Sequence, residues 1–520
     1  MVASADQLAT QSGMAVLARG GNAVDAAIAT NAAIAVTGPH LCGMGGDLFA
    51  LVHEGGDAGS VHALNASGRA GAGVDAAVLR AEGHTEMPFR HDVRTVTVPG
   101  CVDGWVMLHE RFGRLPLAEV LEPAIRLAKD GFPASPLLVG SLAMIDERAQ
   151  VALAELVTQA RRPGDRVRRP GVARALRAIV EGGRDGFYLG EFGDGLRSLG
   201  AGRGPLGADV FDHGDLDRPG PEWVEPLASP AFGRMLHTIP PNSQGYLLLG
   251  AAALVESLDL PADPDHERWA HLLIEAAKAA GRDRPDVLHD RARGTELLAA
   301  IAARRVEIDP HLASPIDGQH QRGDTTYLCT VDDHRMGVSL IQSNASGFGS
   351  WLTEPSTGIN LHNRGLGFSL MEGHPAELAP GRRPPHTLSP ALATSADGRL
   401  AAVFGTMGGD AQPQILLQLA ARLLHHGQSP AVAVNAARWV LHGPVTGFDT
   451  WTSAEGPHVL IEGHAPAEWR SALTARGHDV RIAPPYDSGF GHAHAIVVQD
   501  DGFLAGAADP RARVGAVAGA

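Results

Sequence analysis

Lysine is almost absent from this chain of 520 residues: only Lys129 and Lys278 occur, and the remaining basic charge is arginine. With abundant alanine and 64 glycines, that bias reads as a coding preference rather than a functional signal. Cysteine is scarce and odd in number (Cys42, Cys101 and Cys329), and no two are spaced C-x-x-C. That excludes a disulfide framework and a cysteine zinc site, and makes a reducing compartment the simplest home. The opening residues, MVASADQLATQSG, lack a basic stretch followed by an apolar one. No secretory signal is read there, and a cytoplasmic location is expected. There is no run of about 18 apolar residues, so the pattern predicts no membrane-spanning helix. Net charge is −15, with 58 Asp and Glu against 43 Lys and Arg, so neither nucleic acid nor an anionic membrane is an expected partner. Apolar residues are plentiful, at 44% against 19% charged, which suits a globular chain. The length allows about three domains or one large α/β unit.

Ser4-Ala5-Asp6-Gln7 has the form of a capping box and predicts a helix that buries Leu8, Ala9, Ala15 and Val16 and stops at Gly20-Gly21. Asn22 can cap a second helix through about Val36, whose small alanines suggest close packing. A third helix is predicted over Leu115 to Asp130 and a fourth over Glu267 to Ala280. Between Arg161 and Pro230 the Arg-, Gly- and Pro-rich text predicts irregular surface structure, and Asp309 to Gly323 reads as loop. After Asp324 the pattern changes to strand. Thr325 to Asp332 and Met336 to Ser343 read as a hairpin that sets Thr325 opposite Gln342 or Ser343, depending on loop length. His494 to Val498 with Phe503 to Ala507 reads as another.

Several chemical signals weaken on inspection. The glycine cluster Gly38 to Asp47 precedes a strand instead of following one, so it reads as a tight turn near a site and not as a phosphate cradle. His492-Ala493-His494 and His425-His426 have no carboxylate at ligand spacing, and no metal is expected. Cys329 sits in a strand and reads as a small buried hydrophobe. Gly347-Phe348-Gly349-Ser350 resembles a nucleophile elbow only loosely, because Leu352 stands where a glycine is needed.

Gly323-Asp324-Thr325-Thr326 is more informative. A Thr-Thr pair opening a strand is ordinarily β propensity. Here a loop precedes it, a hairpin follows, Ser343 offers a hydroxyl across the hairpin, and Gly408-Gly409 lies further on. These are the parts of an N-terminal nucleophile hydrolase. A Thr that becomes a chain start can use its own α-amine as general base. Two adjacent glycine N–H groups can meet a developing oxyanion.

The chain resembles the γ-glutamyltranspeptidase (glutathione hydrolase) family of proenzymes nearly end to end. The resemblance rests on MVASADQLATQSGMAVLARGGNAVDAAIA, VPGCVDGW, PLAEVLEPAIRLAKDGF, IPPNSQG, GDTTYLCTVD, SLIQSNASGFGS, GRRPPHTLSP, FGTMGGD and AADPR, in that order. It implies an α+β, four-layer αββα sandwich and self-cleavage between Asp324 and Thr325. The products would be a large subunit of residues 1–324 and a small catalytic subunit of residues 325–520, held together as a heterodimer. It implies Thr325 as the nucleophile, Ser343 as the hydroxyl beside it, and Gly408 and Gly409 as the oxyanion hole. The substrate would be a small amide or peptide, with no cofactor and no metal.

The resemblance also locates departures. The γ-glutamyl enzymes hold the donor's α-carboxylate with an arginine and a Ser-Ser pair. Those positions read Ser67, with Arg69 two places on, and His386-Thr387. They hold the α-amine with Asn, Gln and Asp. Asn344 can supply the first, and the others read Arg364 and Gly367. A guanidinium repels an ammonium. Arg364, His386 and Thr387 either bind an anionic or carbonyl group or serve as surface packing. The segment between Phe368 and Arg383 is short, as in the lidless branch of the family. Three readings follow: a glutathione hydrolase-like transferase or hydrolase; a family amidohydrolase, acylase or C–C hydrolase with another substrate; or a non-catalytic binding descendant.

Overall fold

The computed structural model describes residues 1–57, 59–315, 325–442, 451 and 458–519. Asp324, half of the expected cleavage site, lies outside the described residues, as does most of the loop expected before it.

The β-branched and aromatic run Thr326–Val331 pairs antiparallel with Gly337–Ser343. Thr326 faces Gln342, so the next step along sets Thr325 beside Ser343, the second of the two expected registers. The hairpin is enclosed on both edges. Val2–Ser4 pairs with Leu328 to Thr330, and Asp47–His53 pairs with Gly337–Ser343. A seven-stranded sheet results, in the order Ala516–Ala518, Val2–Ser4, Thr326–Val331, Gly337–Ser343, Asp47–His53, Val61–Ala66, Glu222–Val224. A six-stranded sheet runs Leu504–Ala508, Ala493–Val498, Leu400–Thr406, Ala391–Thr394, Arg234–Thr238, Leu227–Ala231.

The two sheets pack face to face through Phe49, Leu51, Tyr327, Cys329, Ile341, Leu392, Val403 and Ile496. Helices Ala23–Thr37, Cys101–Phe112 and Leu117–Asp130 cover the outer face of the first sheet. Tyr246–Glu256, Glu267–Gly281 and Gln412–Ala420 cover the second. The order is therefore αββα. It explains why all seven residues of Asp47–His53 are buried. Leu48, Ala50 and Val52 face helices while Phe49 and Leu51 face the other sheet.

Helix boundaries follow local chemistry. Asn22 and Asp25 form a reciprocal capping box at Ala23–Thr37. The first helix, Gln7–Ala18, is capped by Asp6, whose carboxylate accepts from the Leu8 and Ala9 N–H groups. The expected Ser4 cap is absent because Ser4 ends a strand, and its hydroxyl bonds Thr10 and the Asp6 carbonyl. The larger correction concerns Arg161 to Pro230. That stretch contains the helices Pro170–Tyr188 and Glu191–Gly200, which bury Val172, Leu176, Ile179, Phe187, Phe192 and Leu196. A break at Gly183, φ 57°, and a heavy arginine load disguise the helical period. Among the described residues no helix is long and apolar enough to cross a membrane.

Close approach of the sheets at Gly405 gives a test. A Cβ there would meet the Tyr327 ring at 2.1 Å. Gly405→Ala is expected to lower stability by about 1–3 kcal/mol through overpacking. An unchanged urea midpoint would contradict this account of the interface.

Candidate functional site

Thr325 immediately precedes a central strand and is buried, 1% exposed, in the uncut chain. Its hydroxyl donates to Ser343 Oγ at 3.0 Å. The chain then turns sharply. Ala345 takes φ 73°, a costly conformation for a residue with a side chain, and its N–H donates to Ser343 Oγ at 2.7 Å. Ser343 is thus fixed from both sides, with its oxygen aimed at Thr325.

The glycine cluster Gly38 to Asp47 wraps this strand end, as a tight turn near a site. A Cβ on Gly46 would meet the Ser343 carbonyl oxygen at 2.2 Å. Gln342 ties the same loop down, accepting from Gly43 N–H and donating to Gly43 C=O. Asn344 is buried. Its side-chain N–H₂ reaches Pro39 C=O at 3.4 Å, and among the described residues its Oδ1 has no hydrogen-bond partner.

Gly408 (φ 137°) and Gly409 (φ 57°) form a turn that residues with side chains rarely adopt. Two residues from before the expected cut hold it. Gln244 Nε2 donates to Gly409 C=O at 2.9 Å and to Thr387 C=O at 3.0 Å. Arg284 pairs with Asp410 at 3.2 Å. Gln244 belongs to the IPPNSQG motif, whose Ser243 bridges to His386. The role of that motif is tertiary and has no local signature in sequence.

Asp47 is the main residue the sequence reading missed. Strand register sets it opposite Ser343. Its carboxylate accepts from Gly68 N–H at 2.9 Å, Gly100 N–H at 3.3 Å and His386 Nε2 at 3.1 Å. Burial opposes its charge, but His362, His386 and the Gly68 N–H outweigh it and hold the carboxyl at about 2. Burial drives His386 down to about 3, so at neutral pH a carboxylate faces a neutral imidazole.

The four residues expected to bind substrate separate by geometry. His386 has both ring nitrogens engaged, Nε2 with Asp47 and Nδ1 with Leu388 N–H. It is a buried histidine whose ring is held within the protein. Arg364 donates to Thr387 Oγ1 at 3.2 Å. It is 3% exposed, and burial lowers its pKa to about 10, against Asp47, so it stays charged at neutral pH. Ser67 is locked into a buried amide network with Asn65 and Asn242. Arg69 does not replace the missing arginine, since it pairs with Glu222 at the surface. The short segment after Phe368 lies against helix Ala76–Ala81, where Arg80 binds Leu370 C=O and Glu377.

The sequence profile of the family described as Gamma-glutamyltranspeptidase matches residues 9–519. An oxamate amidohydrolase proenzyme of Klebsiella pneumoniae is 36% identical over 100% of this chain and 98% of its own length. A glutathione hydrolase-like proenzyme of Bacillus subtilis, YwrD, is 35% identical over 98% and 97%. A cephalosporin acylase structure from Bacillus halodurans superposes with TM-score 0.88 and 35% identity, covering 99% of this chain and 95% of that one.

Buried neutral imidazoles make the fold acid-labile. Burial lowers the pKa of His386 and His494 to about 3 and of His492 to about 4. Each takes up a proton near pH 6.5 only when unfolded, so each removes about 1.4 kcal/mol per pH unit below that point. The urea midpoint is expected to fall steadily from pH 6.5 to 4.5. A flat profile would contradict the burial of these rings.

Proposed function

The chain belongs to the γ-glutamyltranspeptidase family of hydrolases, and on that premise we propose that it is a self-processing threonine amidohydrolase. The cut falls between Asp324 and Thr325 and separates residues 1–324 from 325–520. The freed Thr325 α-amine takes the hydroxyl proton as Oγ1 attacks the substrate carbonyl. Ser343 orients that oxygen, and the N–H groups of Gly408 and Gly409 meet the oxyanion. The leaving amine takes the proton, and an ester remains on Thr325. Water, or an acceptor amine, attacks the ester and returns Thr325 to its starting state.

Arg364 beside Thr387 is the observation that carries the substrate reading. Arg364 is buried and bonded to Thr387, and by the family resemblance its position is one at which a γ-glutamyl enzyme has a group for the donor's ammonium. It favours an acyl group bearing a carboxylate or second carbonyl close to the scissile carbon. The relatives named oxamate amidohydrolase and cephalosporin acylase support that direction. Glutathione-type hydrolysis is the second reading, favoured by the name of the Bacillus subtilis relative.

Turnover of oxamate-like and glutaryl amides against a γ-glutamyl anilide tests the proposal. The anionic amides are expected to be the better substrates. Arg364→Met is expected to lose about 100-fold in kcat/KM on them, or about 2.7 kcal/mol of transition-state stabilisation. Preferred turnover of the γ-glutamyl anilide, unaffected by Arg364→Met, would contradict the substrate assignment.

A further inference from the structure

Helix Glu267–Gly281 carries His271, Glu275 and Lys278 at i, i+4 and i+7, on one buried stripe. His478, just beyond helix Ala467–Ala475 of the expected small subunit, completes a cluster with them. Ligand atoms of His271, Glu275 and His478 gather within 4.8 Å, a spacing that a metal ion could use. The cation already there is Lys278. Its ammonium contacts Glu275 Oε1 at 2.9 Å, Ser314 C=O at 3.0 Å and His478 Nδ1 at 3.3 Å. An ammonium has three protons and all three have acceptors, so the cluster is satisfied without a metal.

The remaining contacts run in one direction. His478 Nε2 meets His271 Nδ1 at 2.9 Å, and His271 Nε2 meets Asp309 C=O at 2.9 Å. Since Asp309 offers only a carbonyl and Lys278 only protons, the tautomers follow. His271 donates to Asp309, His478 donates to His271, and Lys278 donates to His478. Burial lowers the pKa of both imidazoles, which keeps them neutral for that role. Ser314 N–H donates to the other oxygen of Glu275 at 3.0 Å. Ala313 N–H donates to Arg476 C=O at 2.8 Å. Residues 309–314 are thereby tied to the large-subunit helix and to the small-subunit turn Arg476 to His478.

We propose that the Lys278–Glu275–His478–His271 cluster is a latch that holds the end of the large-subunit sequence at Ser314 and so positions the following residues for self-cleavage before Thr325. This rests on the reading of Thr325 as the start of the small subunit. Residues 315–324 alone lie between the latch and the scissile bond. A tether ten residues upstream in sequence limits how far the chain that carries the bond can stray from Thr325. After the cut, the same contacts keep the new end of the large subunit attached to its partner. Lys278 is one of two lysines in an arginine-dominated chain. Its three acceptors surround a single nitrogen, an arrangement a planar guanidinium cannot reproduce.

Self-cleavage followed by mass, with turnover measured on protein already cleaved, tests the latch. Lys278→Met is expected to cut itself about tenfold or more slowly, and Lys278→Arg is slowed as well despite keeping the charge. Once cleaved, both variants are expected to keep wild-type kcat and KM, because the cluster does not touch Thr325. Wild-type cutting rates in either variant overturn the latch while leaving the Thr325 reading intact. A wild-type chain that never cuts itself overturns both. Amide exchange on the wild-type protein does not depend on variant folding. Slow exchange at Ala313 and Ser314 before and after cleavage is expected, and rapid exchange at both overturns the proposal.

Discussion

Everything at the site depends on the hydrogen bonding of one strand. Thr326–Val331 lies between Val2–Ser4 and Gly337–Ser343, and the latter pairs in turn with Asp47–His53. The first and last of these four strands precede the expected cut and the middle two follow it. Their register brings Thr325, Ser343 and Asp47 into one row at the sheet's end. A one-residue slip would turn every side chain of the strand to the opposite face and move the Thr325 hydroxyl away from Ser343. Both faces of the sheet are buried, so such a slip would also drive apolar groups out of two cores at once.

Interlacing explains how a chain can be cut and still remain one body. The strand that follows Thr325 is bonded on one side to the chain's first residues and on the other to its hairpin partner. The Gly408-Gly409 turn is held by Gln244 and Arg284, both from before the cut. Each proposed catalytic element is therefore positioned by contacts from the other side of the scissile bond. The proposed latch at Ser314 follows the same logic, with a small-subunit histidine reading a large-subunit loop.

The hairpin was legible in sequence because β-branched alternation and a polar turn leave little choice. Its register was legible only as two options, since loop geometry chooses between them. The Asn22 cap could be read from local chemistry, whereas the Asp6 cap was displaced by two residues because pairing with Thr326–Val331 claims Ser4. Helix Pro170–Tyr188 was hidden by glycine and arginine, although its buried positions keep a helical period. Thr325, Ser343 and the glycine pair stood out through the family motifs. Asp47 did not, because its significance is tertiary: strand pairing and the Gly68 and Gly100 N–H groups give a buried carboxylate its place. His386 shows the reverse case, a residue singled out by position whose ring the fold uses for itself.

Departures from the γ-glutamyl pattern are consistent with one another in space. Ser67 is tied into an amide network, Arg69 turns outward, and Arg364 stays as a buried cation next to Thr387. Thr325 and Ser343 meet at the strand end, and a buried charge nearby is the Arg364 guanidinium. The most direct test of the central claim is the intact mass of the purified protein under denaturing conditions, with the first residue of the smaller species identified. The account predicts two species, corresponding to residues 1–324 and 325–520, the smaller beginning at Thr325. A single uncut chain, or a cut at any other bond, would contradict it.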